Sequence, residues 1–508
     1  MQIRSLHNAD RLRHGRKAGV PRFFAALALT AAALSLAPAP AEAQYFGRNK
    51  VQYEQFDWQI FDTPHFNVYH YPAESLATLD MARSAERWYE RLSGIMQFTF
   101  QKRPLIFYAN HPDFQQTNVI EDMLSESTGG VTESLQERVI MPHTSAYGET
   151  SHVLGHELVH VFQYGLAGSM DGGFRNLNGI PLWMIEGMAE YLSVGQSDAH
   201  TAMWLRDALR RDDLPTLDQL TNDPRYFPYR YGQAFWAYVG GRFGDMAVPQ
   251  VYRNALAVGP ALALRRVLGR PLDTLSMEWH EQIRRDYGPM LEGRTAPDSL
   301  GTVVVGRSSR TGEQNVSPVV SPDGRHIAFF SSRELFGFSL FLADAETGRT
   351  IRQLTSVTSN EHFDALSFLQ SSAAFSPDGN KLAFVVFADG DNELNVMDVR
   401  SGDIERRIQV EGVGAISDPA WSPDGRSLAF SGNQGGVSDL YIFDFESGRT
   451  RAITTGRNAE MQPAWSPDGS TIAFVTDRGE LTNFDLLTFG SMRVALLDVA
   501  SGNVTLLP

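Results

Sequence analysis

The chain has 508 residues, of which 43% are hydrophobic and 20% charged, as in a globular protein of two or three domains. Its formal net charge of −15 argues against nucleic acid or an anionic membrane surface as the main partner. The absence of cysteine excludes a disulfide framework, a cysteine nucleophile and a lipid-modified N-terminal cysteine.

Residues 1–43 have the pattern of a secretory signal peptide. Basic residues up to Arg22 precede the apolar run 23–36, and the small residues of APAPAEAQ follow. We expect cleavage after Ala43. A membrane anchor is the alternative, but an apolar run of about 14 residues is shorter than the roughly 20 that span a bilayer. The mature chain, from Gln44, would have a net charge of −19 and lie in the periplasm or outside a bacterial cell.

Residues 44–149 predict the α/β part of a first domain. The segment HFNVYHY (65–71) alternates and is rich in aromatic and β-branched residues, which favours a strand. The segment 74–97 has helical periodicity, and PLIFYA (104–109) returns to the strand pattern.

A helical part is predicted over residues 150–290. Helical periodicity dominates there and is interrupted by a glycine-rich loop at 166–179. The segment LEGRTAPDSLG (291–301) has turn-forming residues and no periodicity, so we interpret it as a linker.

Residues 302–508 contain an internal repeat. The tetrapeptide SPDG recurs at residues 321–324, 376–379, 422–425 and 466–469. Each copy precedes a short apolar run and a second turn of the form D-x-x-[ST]-G. That turn comes later in the fourth unit, and we interpret residues 479–490 as a loop insertion there. Such repeats of short strands and turns indicate an all-β propeller.

These units resemble the WD40-like repeats of periplasmic Tol-type and prolyl-oligopeptidase-type propellers. The resemblance implies at least four blades and a protein partner at the propeller. TVVV (302–305) predicts a lone outer strand that would close the ring by pairing with the last blade. However, NVTLL (503–507) already supplies an outer strand to that blade, so we expect the blades to be part of a longer arrangement.

The stretch SHVLGHELVHVFQYG (151–165) contains the pattern H-E-x-x-H, formed by His156, Glu157 and His160. On a helix, residues four apart share a face, so the two histidines can bind one metal ion. Glu157 lies about 100° further round the helix, where it can reach a metal-bound water without binding the metal. The alternative is a solvated helix whose histidines bind no metal, since the pattern also arises by chance in chains of this length.

A second helical segment, PLWMIEGMAEYLSVG (181–195), carries two acids one turn apart, Glu186 and Glu190. Together the two segments resemble the gluzincin metallopeptidases of the thermolysin and zinc-aminopeptidase type, within the peptidase MA-like group. The resemblance implies an α+β metallopeptidase fold that binds Zn²⁺ through His156, His160 and Glu186. Glu190 would hold a zinc histidine from outside the ligand set. The 25 residues between His160 and Glu186 exceed the usual spacing, and the glycine-rich loop can absorb the excess.

Residues 227–244, FPYRYGQAFWAYVGGRFG, are similar to the Y-x-x-G segment of the aminopeptidase branch. The similarity implies that Tyr229 stabilises the oxyanion, with Tyr231 as its competitor. The alternative is that both tyrosines only pack within a helical subdomain.

The segment GGVTES (129–134) has a weaker similarity to the G-x-M-E-N segment of the same branch. Gly130 and Glu133 match, whereas Thr132 and Ser134 replace the methionine and the asparagine. The match implies that Glu133 captures the amine of the substrate. Alternatively, the segment is an edge strand that pairs with an extended peptide.

The sequence therefore predicts a secreted zinc metallopeptidase that cleaves a peptide or protein with Glu157 as general base, while aminopeptidase and endopeptidase remain alternatives. No G-x-S-x-G segment indicates a serine hydrolase. A rival of another class is a periplasmic scaffold whose propeller binds proteins and whose zinc domain is structural or only binds peptides. Such a scaffold has no use for Glu157. A metallohydrolase of non-peptide bonds is the second rival.

Overall fold

The computed structural model describes residues 51–508 apart from 121–123, 171–172, 307–311, 335–336, 357–364 and 370. The predicted signal peptide and the first residues of the mature chain lie outside the described residues. Within the described ranges, no helix is both long and apolar enough to cross a membrane.

A five-stranded sheet forms the first part of the fold. Its strands are β1 (Gln59–Asp62), β2 (Phe66–His70), β3 (Arg103–Tyr108), β4 (Val131–Glu133) and β5 (Arg138–Pro142). Their order in the sheet is β1-β2-β3-β5-β4, with β3 parallel to both of its neighbours and β1 and β4 antiparallel at the edges. The strands predicted at 65–71 and 104–109 correspond to β2 and β3.

Helices pack against this sheet and against one another. They are α1 (Ser75–Met96), α2 (His111–Gln115), α3 (Tyr147–Gly168), α4 (Leu182–Val194), α5 (Ala199–Arg210), α6 (Leu217–Asn222), α7 (Pro228–Phe243), α8 (Ala247–Val258), α9 (Pro260–Leu268) and α10 (Leu272–Leu291). Helix α3 begins three residues before the predicted boundary at 150, because the Ala146 carbonyl already accepts a helical hydrogen bond from the Thr150 amide at 2.9 Å.

One hydrophobic core joins the sheet to the helices and fixes the position of α3. Trp183, Trp236 and Trp279 are fully buried in it. Helix α3 packs closely on α1 at Gly155, where a Cβ atom would lie 2.7 Å from the Trp88 ring. Any larger residue at this position would push the two helices apart.

Beyond the helices, the described residues form four antiparallel sheets in succession, which are the blades predicted from the repeat. The first two contain β6 (Asn315–Val320), β7 (His326–Glu334), β8 (Gly337–Asp344) and β9 (Thr350–Ser356), then β10 (Ala365–Leu366), β11 (Ala374–Phe375), β12 (Lys381–Ala388), β13 (Asp391–Asp398) and β14 (Ile404–Ile408). The last two contain β15 (Ala415–Trp421), β16 (Ser427–Gln434), β17 (Val437–Asp444) and β18 (Arg449–Ala452), then β19 (Glu460–Trp465), β20 (Thr471–Thr476), β21 (Arg493–Asp498) and β22 (Val504–Leu506).

Residues 302–305 are not a strand, so the predicted pairing with the last blade is wrong. Strand β22 pairs with β21 and occupies the outer edge of that blade, as expected for NVTLL. The 302–305 segment lies instead on the first blade. The Val304 carbonyl abuts Gly348, where a Cβ atom would lie 1.8 Å from its oxygen, and Val305 packs against Phe329 and Phe341.

The propeller contacts the first domain through hairpins between the second and third strands of its blades. In the second blade, the Gly390 carbonyl accepts a hydrogen bond from Gln116 Nε2 at 3.1 Å. In the third blade, a Cβ atom at Gly436 would lie 2.8 Å from His143. These close approaches require small residues at the hairpin tips, and glycine also supplies the positive φ of the turns.

The predicted insertion, residues 479–490, forms the longest of these hairpins and rests on the start of α3. The Phe484 ring contacts the Tyr147 ring edge-on at 5.5 Å, and Phe489 abuts Gly148. Beside it, Arg457 pairs with the buried Asp80 of α1. The insertion is therefore part of the interface between the propeller and the helix that carries the H-E-x-x-H pattern.

Candidate active site

Three candidate metal ligands converge from two helices. His156 Nε2 and His160 Nε2, one turn apart on α3, are 3.1 Å from each other. Glu186 Oε2, from α4, is 3.2 Å from each of the two nitrogens. The two imidazoles are buried, and the Glu186 side chain is 15% exposed.

The chemistry of these donors fits a bound cation. His160 Nδ1 lies 2.8 Å from the Gln163 amide oxygen, which can only accept, so this nitrogen is the donor. His156 Nδ1 lies 3.3 Å from a Glu190 carboxylate oxygen. The two Nε2 atoms and Glu186 Oε2 meet at one point, where a cation would replace the Nε2 protons and bind all three. A tetrahedral zinc ion with bonds of about 2.0–2.1 Å keeps its ligands about 3.3 Å apart, close to the separations found here.

Glu190 connects the histidine to a wider network. Its Oε2 accepts a hydrogen bond from Arg230 at 3.1 Å, and Arg230 also contacts Asp198 at 3.2 Å. Burial by itself would lower the pKa of His156, but the hydrogen bonds with Glu186 and Glu190 outweigh it and raise the pKa to about 10. Glu190 thus lies next to His156.

Gln163 is a partner that the sequence analysis missed. Its amide oxygen holds His160, and its Nε2 donates to the Ile185 carbonyl at 3.0 Å, next to Glu186. Its position three residues after His160 was the available signal, since residues at i and i+3 share a helix face.

Helices α4 and α7 cross in contact at two glycines, Gly187 and Gly232. A Cβ atom on Gly187 would lie 2.4 Å from the Gly232 Cα, and one on Gly232 would lie 2.3 Å from the Trp183 carbonyl oxygen. Only glycine at both positions allows this separation. The crossing brings the first turn of α7 to the candidate metal ligands.

Of the two candidate tyrosines, Tyr229 lies at this site. Its ring stacks on the His156 ring at 5.8 Å between centroids. Burial and the charge of Glu186 raise the pKa of Tyr229 above its ordinary value, so the phenol stays protonated at neutral pH. Tyr231 is buried against Trp204 and Tyr226 instead, as the packing alternative describes.

The edge strand β4 lies against Glu157. Thr132 Oγ1 is 2.7 Å from Glu157 Oε2 and 2.9 Å from the Glu157 carbonyl oxygen. At Gly130, a Cβ atom would lie 3.0 Å from the Glu157 Cγ. The structure thus places Gly130 at the site, in contact with the candidate base.

Glu133 is not brought to the site. Its carboxylate accepts hydrogen bonds from the Leu135 amide at 3.0 Å and from Arg138 Nε at 3.2 Å, within the β4–β5 hairpin. Successive side chains of a strand point to opposite faces, so Thr132 faces Glu157 and Glu133 does not.

The chain resembles known proteins over two of its parts. Residues 128–215 match the family described as peptidase of plants and bacteria, and residues 367–484 match the TolB beta propeller domain. The first match contains β4, α3 and α4, but ends before Tyr229. The chain therefore combines a peptidase-related domain with TolB-type propeller repeats. No curated protein matches the chain.

Solved structures match the chain at low identity. TolB from Acinetobacter baumannii is 23% identical over 47% of this chain, with a TM-score of 0.31. The match covers 60% of that TolB chain, less than two thirds of its length. A puromycin-hydrolyzing peptidase from Mycobacterium tuberculosis is 18% identical over 43% of this chain and 32% of its own, also with a TM-score of 0.31.

Proposed function

We propose that this protein is a secreted zinc metallopeptidase of the gluzincin type. The observation that carries the proposal is the convergence of His156, His160 and Glu186 on one point beside Glu157. The match to the peptidase family over residues 128–215 supports it, since a peptidase or peptide-binding role fits both the family and the propeller. The predicted signal peptide supports export to the periplasm or beyond the cell.

His156, His160 and Glu186 would hold the zinc ion. When bound, zinc lowers the pKa of a water molecule to about 7 and polarises the carbonyl of the peptide. Glu157 accepts the proton of the attacking water and passes it to the leaving amine. Tyr229, a phenol that is protonated at neutral pH, donates a hydrogen bond to the developing oxyanion.

Strand β4 offers the binding surface for an extended peptide. It is an edge strand in the order β1-β2-β3-β5-β4, so its outer backbone groups can pair with the substrate main chain. Because Glu133 is engaged by Arg138 and the hairpin amides, recognition of backbone is favoured over capture of a free amine. We therefore expect cleavage of internal bonds.

The test is mass-spectrometric mapping of cleavage in a mixed peptide library by the zinc-loaded mature protein and its Glu157→Gln variant. Glu281→Gln, an equal change at a side chain 75% exposed on α10, is the matched control. Cleavage by the wild type and the control but not by Glu157→Gln is the expected result. Equal product patterns for all three proteins would contradict the proposal and favour the peptide-binding scaffold.

A further inference from the structure

Thr132 is the polar side chain of β4 that faces the candidate base. It is 8% exposed, and its hydroxyl lies within hydrogen-bond distance of both the carboxylate and the main-chain carbonyl of Glu157. A hydroxyl has one proton to donate. The shorter contact, 2.7 Å, is the one to the carboxylate, and hydrogen bonds to an ionised acceptor are the stronger kind.

Gly130, just before β4, leaves room for the Glu157 side chain. A Cβ atom built on Gly130 would lie 3.0 Å from Glu157 Cγ and 3.2 Å from Glu157 Oε1. The same Cβ atom would lie 3.2 Å from the side chain of Val153, one turn before Glu157 on α3. The Glu157 side chain thus lies between its own helix and β4, in space that Gly130 leaves free, and Thr132 engages its Oε2.

From this geometry we infer that Thr132 is a positioning residue for the general base, a role that rests on the proposed peptidase function. Its hydroxyl engages Oε2 and leaves Oε1 to take the proton. The same three-residue strand whose outer edge would pair with the substrate therefore also holds the base. This arrangement sets the distance between base and scissile carbonyl, and displacements of about 1 Å in such geometry lower rates by about 100-fold.

The experiment compares Thr132→Val, which has the same shape without the hydroxyl, with Thr132→Ser, which keeps it. We expect kcat of Thr132→Val to fall about 10- to 100-fold, as for other partners that orient catalytic groups, with KM changed less than about twofold. Thr132→Ser is expected to retain most of the wild-type kcat. Zinc content and the circular dichroism spectrum control for folding.

A second readout does not depend on turnover. In the inactive Glu157→Gln background, the Kd for a library-derived peptide is measured with and without Thr132→Val. Equal Kd values are expected if Thr132 acts on the base. Weaker binding, or a raised KM with unchanged kcat, would overturn the inference and make Thr132 a substrate contact.

The failure of this inference and that of the proposed function look different. If the wild type cleaves peptides in a Glu157-dependent manner and Thr132→Val matches it, only the role of Thr132 is wrong. If the zinc-loaded wild type shows no Glu157-dependent cleavage, the proposed function fails, and the role of Thr132 with it.

Discussion

The helical part and the propeller use their polar side chains in opposite ways. In each SPDG turn the serine hydroxyl lies 2.5–2.7 Å from the aspartate two residues later, in the pairs Ser321–Asp323, Ser376–Asp378, Ser422–Asp424 and Ser466–Asp468. In the helical part, His156 Nε2, His160 Nε2 and Glu186 Oε2 come from two helices and lie 3.1–3.2 Å from one another.

The difference separates structural from functional use of the same residue types. Each of the four turn aspartates accepts hydrogen bonds from the nearby serine hydroxyl and from backbone amides, and these bonds lower the pKa of its carboxyl group. The converging donors on α3 and α4 are largely buried and pair with one another across two helices. Repetition thus indicates architecture here, and a buried cluster of possible ligands outside the repeat is the better candidate for chemistry.

The largest effect is expected from Glu186→Ala, which removes one of the three converging donors. Two histidines alone should not retain zinc, so the zinc content after dialysis should fall from about one per chain to near zero. This loss exceeds the 10- to 100-fold drop in zinc affinity expected when a residue that only hydrogen-bonds a ligand is removed. Emission spectroscopy and peptide cleavage measure this, with Glu281→Ala as control. Undiminished zinc content would mean that the cluster is not the metal site.

Arg457→Ala tests the contact between the two parts. It removes the partner of the buried Asp80, which Arg83 still contacts at 3.2 Å. We expect a loss of about 1–3 kcal/mol in unfolding free energy, below the 3–5 kcal/mol for a fully unpaired buried charge. Urea unfolding measures it, with the exposed Arg451→Ala as control. An equal effect of both changes would argue against a stabilising interface.

Asp113→Asn should alter the pH dependence of stability. Burial, with the nearby Glu54 and Asp391, raises the pKa of Asp113 to about 7, although Tyr71 hydrogen-bonds the carboxylate. Between about pH 4 and pH 7 the folded state therefore binds more protons at this group than the unfolded state, and its stabilising contribution is lost as pH rises.

The Asp113→Asn variant does not lose this contribution to stability as pH rises. Its Tm should exceed that of the wild type by about 2–5 °C at pH 8 and match it near pH 4.5. Calorimetry at the two pH values checks this, with the exposed Asp57→Asn as control. A difference independent of pH would show that Asp113 is not protonated in the folded protein.

Asp424→Ala probes a repeated turn. It removes the acceptor of the Ser422 hydroxyl at 2.7 Å and of the Arg426 amide at 3.0 Å. We expect a destabilisation of about 1 kcal/mol, with unchanged zinc content and cleavage rate. Asp424→Asn keeps an acceptor and should behave like the wild type. Loss of activity without loss of stability would break the distinction drawn between the two parts.

The smallest effect is expected from Glu133→Gln. Its carboxylate pairs with Arg138, and such a solvent-accessible ion pair contributes about 0–1 kcal/mol to folding stability. Because this carboxylate does not reach the site, kcat/KM should stay within about twofold. The measurement compares peptides with free and acetylated N-termini. A KM raised only for the free amines would restore the amine-capture role.

Local patterns made much of the fold predictable. The strands β2 and β3, helix α1 and the SPDG turns depend on contacts between residues a few positions apart, so periodicity and turn chemistry are sufficient to predict them. The proximity of His156 and His160 follows from helical spacing alone. Residues 302–305 were wrongly predicted to be a strand. A run of apolar β-branched residues can pack against the face of a blade as readily as it can pair with its edge strand.

The sequence by itself determined the repeat, the H-E-x-x-H pair and the candidate third ligand, because each is encoded within one segment. Only the tertiary structure decided between Tyr229 and Tyr231 and brought Thr132 to Glu157. Two residues apart on a helix, the tyrosines point about 200° away from each other, so the rotation of α7 selects between them. That rotation is set by the contact of Gly187 with Gly232, which lie 45 positions apart in the sequence and meet only in the folded protein.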